Sequence, residues 1–190
     1  SLNVESGATF LGVEGNIKVD ALTGGGTVSS GYPGYAYGLT VGVNGGSGTF
    51  SGSIQDANGK SANLTKEGAG TQILTGNNTY TGTTTITGGV LQVGDGGTTG
   101  NLGTGAVINN ASLVFNRSNS HTVANAISGS GTLTQAGSGT TILTGNNTYT
   151  GTTTISAGVL QVGNGGTSGT LGAGAVALSN NANLAFVRSV

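Results

Sequence analysis

The sequence predicts an all-β protein built as a parallel β-helix, a solenoid of stacked coils, and three observations predict it. The segment 71–100 returns as 140–169 with 25 of 30 positions identical, so the chain repeats with a period of about 69 residues. Self-similarity at a fixed long period is typical of solenoids, in which each unit buries its apolar face against its neighbours. Short runs of Thr, Val, Ile and Leu alternate in the manner of strands. Gly, with 40 of 190 residues, punctuates these runs.

The long period sets the expected size of one coil. It divides into three coils of roughly 23 residues, which gives about eight coils over the chain and a rod about 40 Å long at about 4.8 Å between stacked strands. Equivalent residues of the two copies, such as Ile73 and Ile142, are then expected about three coil rises apart along one axis, which is about 14–15 Å.

Each strand is expected where β-branched or aliphatic residues alternate with other residues between Gly or Asn. In chain order, the first long repeat supplies these runs: Gln72–Thr75, Thr83–Ile86, Val90–Val93, Ala106–Asn109, Ser112–Phe115, His121–Ala124 and Thr132–Thr134. The Gly pairs between them, such as 88–89, supply turns that need positive φ.

The same alternation predicts which side chains of the segment 83–93 face inward. The core-facing residues are expected to be Ile86, Val90 and one of Leu91 or Val93, and the water-facing residues to be Thr83, Thr85 and Gln92.

The segment between the first two strands of the repeat is expected to form a corner. Asn77–Asn78 suits a left-handed turn, and such Asn residues can form ladders between coils where they stack on identical positions. Tyr80 and its equivalent Tyr149 are expected to pack at the corner with the phenol reaching solvent.

No domain boundary is visible in the chain. Residues 1–190 are interpreted as a single solenoid segment, in which 71–139 and 140–190 are copies of the long repeat, the second incomplete, and 1–70 is a degenerate copy. Solenoids usually end in polar caps, and neither terminus resembles one, since Leu184–Val187 is an apolar strand. We therefore expect an internal segment, or a chain that meets another copy end to end.

Charge and composition exclude several classes of function. A net charge of −1 gives no electrostatic reason to expect nucleic acid or an anionic membrane as a partner. Apolar runs never exceed about four residues, which excludes a transmembrane helix. Cysteine is absent, so burial and hydrogen bonds alone must hold the fold together. No secretory signal precedes Ser1, which indicates a mature product or an excised segment.

The titratable residues do not form a pattern that supports catalysis or metal binding. The only histidine, His121, has no Cys or nearby carboxylate at a ligand spacing and is expected at the solvated surface. Asp95 lies in a single Gly-Asp-Gly sequence that is too isolated for a calcium roll, and the second copy has Asn164 there. The acids are scattered singly: Glu5, Glu14, Asp20, Asp56, Glu67 and Asp95. We therefore expect no catalytic residues, no cofactor and no metal.

One non-repeated segment is a candidate binding loop. Gly31–Gly38 holds Tyr32, Tyr35 and Tyr37 together with the only proline, and exposed tyrosines are efficient contact residues for proteins and sugars. The competing interpretation is a loop that folds over the solenoid and has no ligand. The charged insertion Asp56–Lys60 is a second candidate, more readily explained as a solvated loop.

The long repeat resembles a known family. The segments Leu74–Gly82 (LTGNNTYTG) and Gly89–Gly94 (GVLQVG), with their second copies at Leu143–Gly151 and Gly158–Gly163, are similar to the passenger-associated transport repeat of bacterial autotransporters. The resemblance implies a right-handed parallel β-helix exported to the outer-membrane surface, or the exterior, of a Gram-negative bacterium, with no active site in the repeat. The family's C-terminal membrane barrel is missing here.

Three functions follow as expectations. The first is a rigid β-helical stalk within a passenger, whose partners are further coils of the same passenger. The second is an adhesin or self-associating module that uses the solenoid face or the Tyr-rich loop to contact host or bacterial surface molecules. The third, a carbohydrate-active β-helix enzyme, lacks the clustered acids that such enzymes need.

Overall fold

The computed structural model describes residues 1–12, 15–30, 37–179 and 181–189, which contain strands, turns and bends but no helix. In chain order the strands are β1 (Leu2–Val4), β2 (Thr9–Gly12), β3 (Ile17–Val19), β4 (Leu22–Gly24), β5 (Thr27–Ser30), β6 (Gly38–Val41), β7 (Gly48–Phe50), β8 (Ser53–Asp56), β9 (Asn63–Lys66), β10 (Thr71–Leu74), β11 (Thr84–Ile86), β12 (Val90–Val93), β13 (Val107–Asn109), β14 (Ser112–Phe115), β15 (His121–Val123), β16 (Ile127–Ser128), β17 (Thr132–Gln135), β18 (Thr140–Leu143), β19 (Thr153–Ile155), β20 (Val159–Val162), β21 (Val176–Leu178) and β22 (Asn183–Phe186).

The strands form three faces of a parallel β-helix. Face 1 is a nine-stranded sheet in the order β1-β4-β7-β10-β12-β14-β17-β19-β21. Face 2 is a six-stranded sheet, β3-β6-β9-β11-β13-β16. Face 3 holds β2-β5-β8 at one end of the solenoid and β15-β18-β20-β22 at the other. The named strands pair in parallel, as expected when each strand stacks on the next turn of the same helix.

The nine strands of face 1 correspond to nine coils, slightly more than the period of the sequence suggested. Coil length varies along the chain: a short coil separates the paired residues Thr9 and Thr27, and a long one separates Gly24 and Phe50. Within the long repeat most coils are shorter than a third of the period, as in the pairing of Ser112 with Thr132.

The long repeat therefore spans three and a third coils rather than three. In the first copy β10 lies on face 1, whereas its equivalent β18 lies on face 3. The strand-free corner Gly76–Tyr80 stacks on face 3, where Thr79 N–H donates to Ile54 O of β8 at 2.9 Å. Its copy Gly145–Tyr149 stacks on face 2, where Thr148 N–H donates to Ile127 O of β16 at 2.8 Å. The second copy is rotated by about a third of a turn, and the expected pure translation between Ile73 and Ile142 was wrong.

The core is one continuous column of inward-facing side chains. Ile86, Leu91 and Val93 are completely buried, as are their stacked neighbours Leu113 and Phe115. Val90 is only partly buried because it pairs with the outward-facing Thr71, so the expectation that it lies in the core was wrong. Both Leu91 and Val93 face inward, where only one was expected.

Polar side chains inside the column have backbone partners. Gln72 fills a gap between β4 and β7, which share a single registered pair. Its amide nitrogen donates to Leu22 O at 3.0 Å and Gly48 O at 3.1 Å, and its amide oxygen accepts Leu22 N–H at 3.1 Å. Among the described residues no buried side-chain nitrogen or oxygen lacks a hydrogen-bond partner. The interior is thus saturated, as a stable β structure requires.

The corner residues behave differently from their sequence prediction. Within the described ranges the only non-Gly residues with positive φ are Asn58 and Asn181, so Asn77–Asn78 is not a left-handed turn. Asn78 is buried and links coils, since its Oδ1 accepts Ile54 N–H at 2.8 Å and its Nδ2 donates to Asn101 O at 2.7 Å. Its stacked partner is Asn101 and not an identical repeat position.

Tyr80 and Tyr149 are completely buried, which corrects the expectation that their phenols reach solvent. The Tyr80 hydroxyl lies 2.7 Å from Thr84 Oγ1, and the Tyr149 hydroxyl lies 2.7 Å from Thr153 Oγ1. Both pairs close a corner that has no strand. A β-helix corner filled by a buried, hydrogen-bonded tyrosine is therefore the constant element of the repeat.

Candidate functional site

The Tyr-rich loop is described only at its end. Tyr32 and Tyr35 lie outside the described residues. Tyr37 is partly buried, and its carbonyl oxygen accepts Ser30 Oγ at 3.1 Å and Asn63 N–H at 3.3 Å. Tyr37 is thus docked on β5 and β9, and the binding role of the three tyrosines stays a prediction.

The charged insertion Asp56–Lys60 closes as a tight turn rather than an open loop. Ala57 and Lys60 form an antiparallel bridge, and Asn58 with φ 52° and Gly59 with φ 67° lie between them. The Asp56 carboxylate accepts Thr81 N–H at 3.0 Å, Thr81 Oγ1 at 2.7 Å and Ala62 N–H at 2.8 Å. Its oxygens are occupied by neighbouring coils, so Asp56 acts as an anchor for the corner.

Other carboxylates hold backbone in the same way. Asp20 Oδ1 accepts the N–H groups of Asn44 at 3.0 Å and Gly46 at 2.8 Å, and Asp95 Oδ1 accepts Gly97 N–H at 3.2 Å. In the part of the chain that the structure describes, no three His, Cys, Asp or Glu side chains approach one another as metal ligands would. Glu14 lies outside that part.

One lysine is fully buried in the solenoid. Lys66 Nζ donates to the carbonyl oxygens of Glu67, at 2.5 Å, Gly68, at 3.0 Å, and Gly88, at 3.1 Å. Burial lowers the pKa of this ammonium. The second copy has Gln135 at the equivalent position, where Nε2 donates to Gly137 O at 2.8 Å. Both side chains therefore bind the carbonyl oxygens of the following turn.

A cluster of polar groups on the surface contains Arg117 and His121. Arg117 Nη1 donates to His121 Nδ1 at 3.0 Å and to Gly100 O at 2.5 Å. Its Nη2 donates to Thr98 O, and its Nε donates to Asn119 Oδ1 at 3.1 Å. The turn 116–120 folds back so that these two side chains meet. His121 thus has a partner that the sequence did not reveal, and it is a half-buried surface histidine rather than a freely solvated one.

Burial and the neighbouring Arg117 guanidinium lower the pKa of His121 to about 4. The ring also lies against the core, with its centroid 6.3 Å from that of Phe115 and a tilt of 50°. At neutral pH His121 is therefore uncharged. Burial lowers the pKa of Arg117 as well, but a guanidinium stays protonated in proteins.

Two adjoining depressions surround this pair. A groove of about 620 Å³ is lined mostly by hydroxyl and amide side chains, namely Ser51, Thr75, Asn77, Thr98, Thr99 and Asn101, together with Arg117 and His121. A smaller cavity of about 170 Å³ lies between Asn101 and Asn125. His121 and Asn101 line both. The pair therefore lies at the junction of the two depressions, on face 3 beside the strand-free corners that contain Asn77 and Asn101.

The second copy repeats part of this arrangement. Arg188 Nη2 donates to Thr167 O at 2.8 Å, which is the equivalent of the bond from Arg117 to Thr98 O. Arg188 is exposed, and no contact with a histidine accompanies it. Holding the glycine-rich turn is the shared role of the two arginines.

The comparisons with known proteins point to the repeats and not to this groove. Residues 64–93 and 133–162 match the family model of the passenger-associated-transport-repeat. Each matched segment runs from one buried strand through a strand-free corner to β12 or β20, which is about one and a third coils. No curated protein and no solved structure matches the chain. A search of the described residues for an apolar helix long enough to cross a membrane finds none.

Proposed function

The chain carries two passenger-associated transport repeats within one β-solenoid, as a segment of an autotransporter passenger does, and we propose that it acts there as a stiff stalk. The repeat family implies a secreted or surface-exposed protein of a Gram-negative bacterium. The unbroken nine-stranded sheet of face 1 is the observation that carries the proposal. At about 4.8 Å between strands it corresponds to a rod about 40 Å long.

Stiffness is supported by the way in which the coils are joined. Each coil is bonded to the next along two or three faces, and side chains such as Gln72 reach across two coils. Bending the rod would break several ladders and open the saturated interior at once. Such cooperative, nearest-neighbour stability suits a spacer.

We also propose that the segment is not an enzyme. The carboxylates of Asp20 and Asp56 hold backbone N–H groups of the next coil, and that of Asp95 holds one in its own turn, which leaves all three poorly placed to act as acid or base. The alternative is an adhesin or self-associating module. The groove around Arg117 and His121 favours it, because this groove presents a guanidinium together with hydroxyl and amide side chains at the surface.

A length series tests the stalk. Deleting residues 71–139 joins residue 70 to a copy of the removed sequence, and should shorten the rod by three and a third coils, about 16 Å. Duplicating the same residues should lengthen it by the same amount. Small-angle scattering of the purified chains measures both changes, and a compact or aggregated product of the duplication would contradict the proposal.

A replacement experiment separates the stalk from the adhesin. In a passenger displayed on cells, this segment would be exchanged for a solenoid of equal length and unrelated sequence. For a stalk, attachment of the cells should not change, because only length matters. Loss of attachment would favour the adhesin.

We further propose that the last described coil stacks on a further coil, either of the same passenger or of a second copy end to end. Leu178 and Phe186, in the last coil, are 51% and 63% exposed, and β21 and β22 each pair on one side only. A parallel strand stacked there would bury apolar surface and complete both ladders. Analytical ultracentrifugation over a concentration series should show association that the pair of charges Leu178→Asp and Phe186→Asp abolishes. A monomer at all concentrations would refute the contact between copies.

A further inference from the structure

We propose that the groove around Arg117 and His121 binds an acidic oligosaccharide, with a carboxylate or sulfate of the sugar held by Arg117 and a neighbouring sugar oxygen held by His121. The inference goes beyond the stalk and does not rest on it, since a spacer can carry a lateral binding site.

The Arg117 guanidinium has no anionic partner. Its four hydrogen bonds go to neutral acceptors: the carbonyl oxygens of Thr98 and Gly100, the amide oxygen of Asn119, and His121 Nδ1. No ion pair occurs anywhere among residues 1–12, 15–30, 37–179 and 181–189. A guanidinium has five N–H donors, so one N–H on Nη2 is left. A half-buried cation whose neighbours are all neutral attracts an anion more strongly than an exposed, paired one.

The same contact fixes the proton of His121. An arginine can only donate, so Nδ1 must offer its lone pair and the proton of the neutral ring is on Nε2. This Nε2–H has no protein acceptor. Because no buried side-chain nitrogen of the described residues is unpaired, Nε2 must be accessible, and His121 lines both depressions. Arg117 and His121 thus each offer one N–H donor at the groove, and the two donors point in different directions, so they suit two different groups of one ligand.

The lining of the groove matches sugar hydroxyls. Thr98, Thr99 and Asn77 are exposed, and they carry hydroxyl and amide groups that both donate and accept hydrogen bonds. A volume of about 620 Å³ lies within the range of small-molecule sites. The lining has a guanidinium and no acidic side chain, which favours an anionic ligand over a cationic one. A polyhydroxylated molecule with one negative group satisfies the whole set.

The binding experiment uses the intact chain and three oligosaccharides of similar size. Trigalacturonate carries carboxylates, a sulfated heparin tetrasaccharide carries sulfates as well, and maltotriose is neutral. Isothermal titration calorimetry should detect binding of one or both acidic ligands and none of maltotriose, with affinity falling as salt rises. Comparing the two acidic ligands shows which anionic group the groove prefers.

Arg188 supplies the matched control. Arg117→Gln and His121→Gln should each lower the affinity tenfold or more, which is about 1.4 kcal/mol, whereas Arg188→Gln should not change it. Because Arg117 also holds the turn 94–100, the unfolding midpoint is measured for each variant. His121→Gln, which loses only one contact, keeps the test valid if Arg117→Gln unfolds. Equal binding of maltotriose, no binding of either acidic ligand, or an equal loss in Arg188→Gln would overturn the proposal.

Discussion

A disulfide placed between coils tests the rotation of the repeat directly. Val114 on β14 and Thr134 on β17 are registered neighbours on face 1, and both point outward. Stacked strands are about 4.8 Å apart, which lies within the roughly 4.4–6.8 Å between the Cα atoms of natural disulfides. The chain has no cysteine of its own, so the double substitution Val114→Cys and Thr134→Cys offers a single pair of thiols.

The expected stabilisation follows from the loop that the bridge closes. About 20 residues separate the two positions, and the loop-entropy estimate for that length is about 3 kcal/mol, an upper limit if the bridge strains the strands. For a chain of this size it corresponds to a rise of roughly 6–12 °C in the melting temperature. Thiol titration and mass spectrometry detect the bridge, and thermal unfolding with and without reductant measures its contribution.

The matched control distinguishes a rotated copy from a translated one. If the two copies were related by three whole coils, Thr134 would stack on Ile108 of face 2, because Thr65, Thr85 and Ile108 already stack there. The structure instead places Ser128 beside Ile108. Ile108→Cys with Thr134→Cys should therefore remain reduced. A bridge in this control, or none between positions 114 and 134, would refute the third-turn rotation.

Three further predictions concern buried polar groups. Tyr80→Phe should lower the free energy of unfolding by about 1–3 kcal/mol because it leaves the buried Thr84 hydroxyl unpaired, and adding Thr84→Val should recover part of the loss in urea unfolding. Lys66→Gln, which copies Gln135 of the second repeat, should raise the free energy of unfolding by up to about 2 kcal/mol by removing a buried charge, and a loss above about 1 kcal/mol would contradict this. The pKa of His121 is lower in the folded chain than in the unfolded chain, so the unfolded chain takes up the proton first as pH falls from 6.5 towards 4. The free energy of unfolding should therefore decline by about 1–2 kcal/mol over this range, after allowance for partial exposure. His121→Gln should lack this decline, and identical pH profiles of the two proteins would refute the assignment.

The strands of the long repeat could be predicted from sequence because period-two alternation survives in every coil. Val90–Val93 and Ser112–Phe115 were predicted with their observed bounds, and Gln72–Thr75 was displaced by one residue. The phase within a strand was harder, since the turn at Gly89 (φ 61°) sets which residue of Val90–Val93 first faces inward. That angle cannot be read from composition.

The coil length and the Arg117–His121 pair could not be predicted, for related reasons. The period of the repeat is divisible by three, and nothing in the sequence shows that most coils are shorter than a third of the period, so that the repeat covers an additional third of a turn. Arg117 and His121 are four positions apart, a spacing that brings side chains together on a helix but not across a turn between strands. Their contact depends on how 116–120 folds back over the preceding coil.

The rotation also bears on what the duplication supplies. Because the period is not a whole number of coils, the identical sequences never stack on one another, and equivalent outward side chains of the two copies point in directions about a third of a turn apart. Several buried side chains are the same in both copies and play the same roles. They are the tyrosine bonded to a threonine (Tyr80 and Tyr149), the asparagine that bridges two coils (Asn78 and Asn147), and the leucine and valine of β12 and β20. A ligand ladder would need repeated surfaces on one face. The duplication therefore extends the core and the rod, and groove residues that recur, such as Thr98 and Arg117 as Thr167 and Arg188, face a different side of the rod in the second copy.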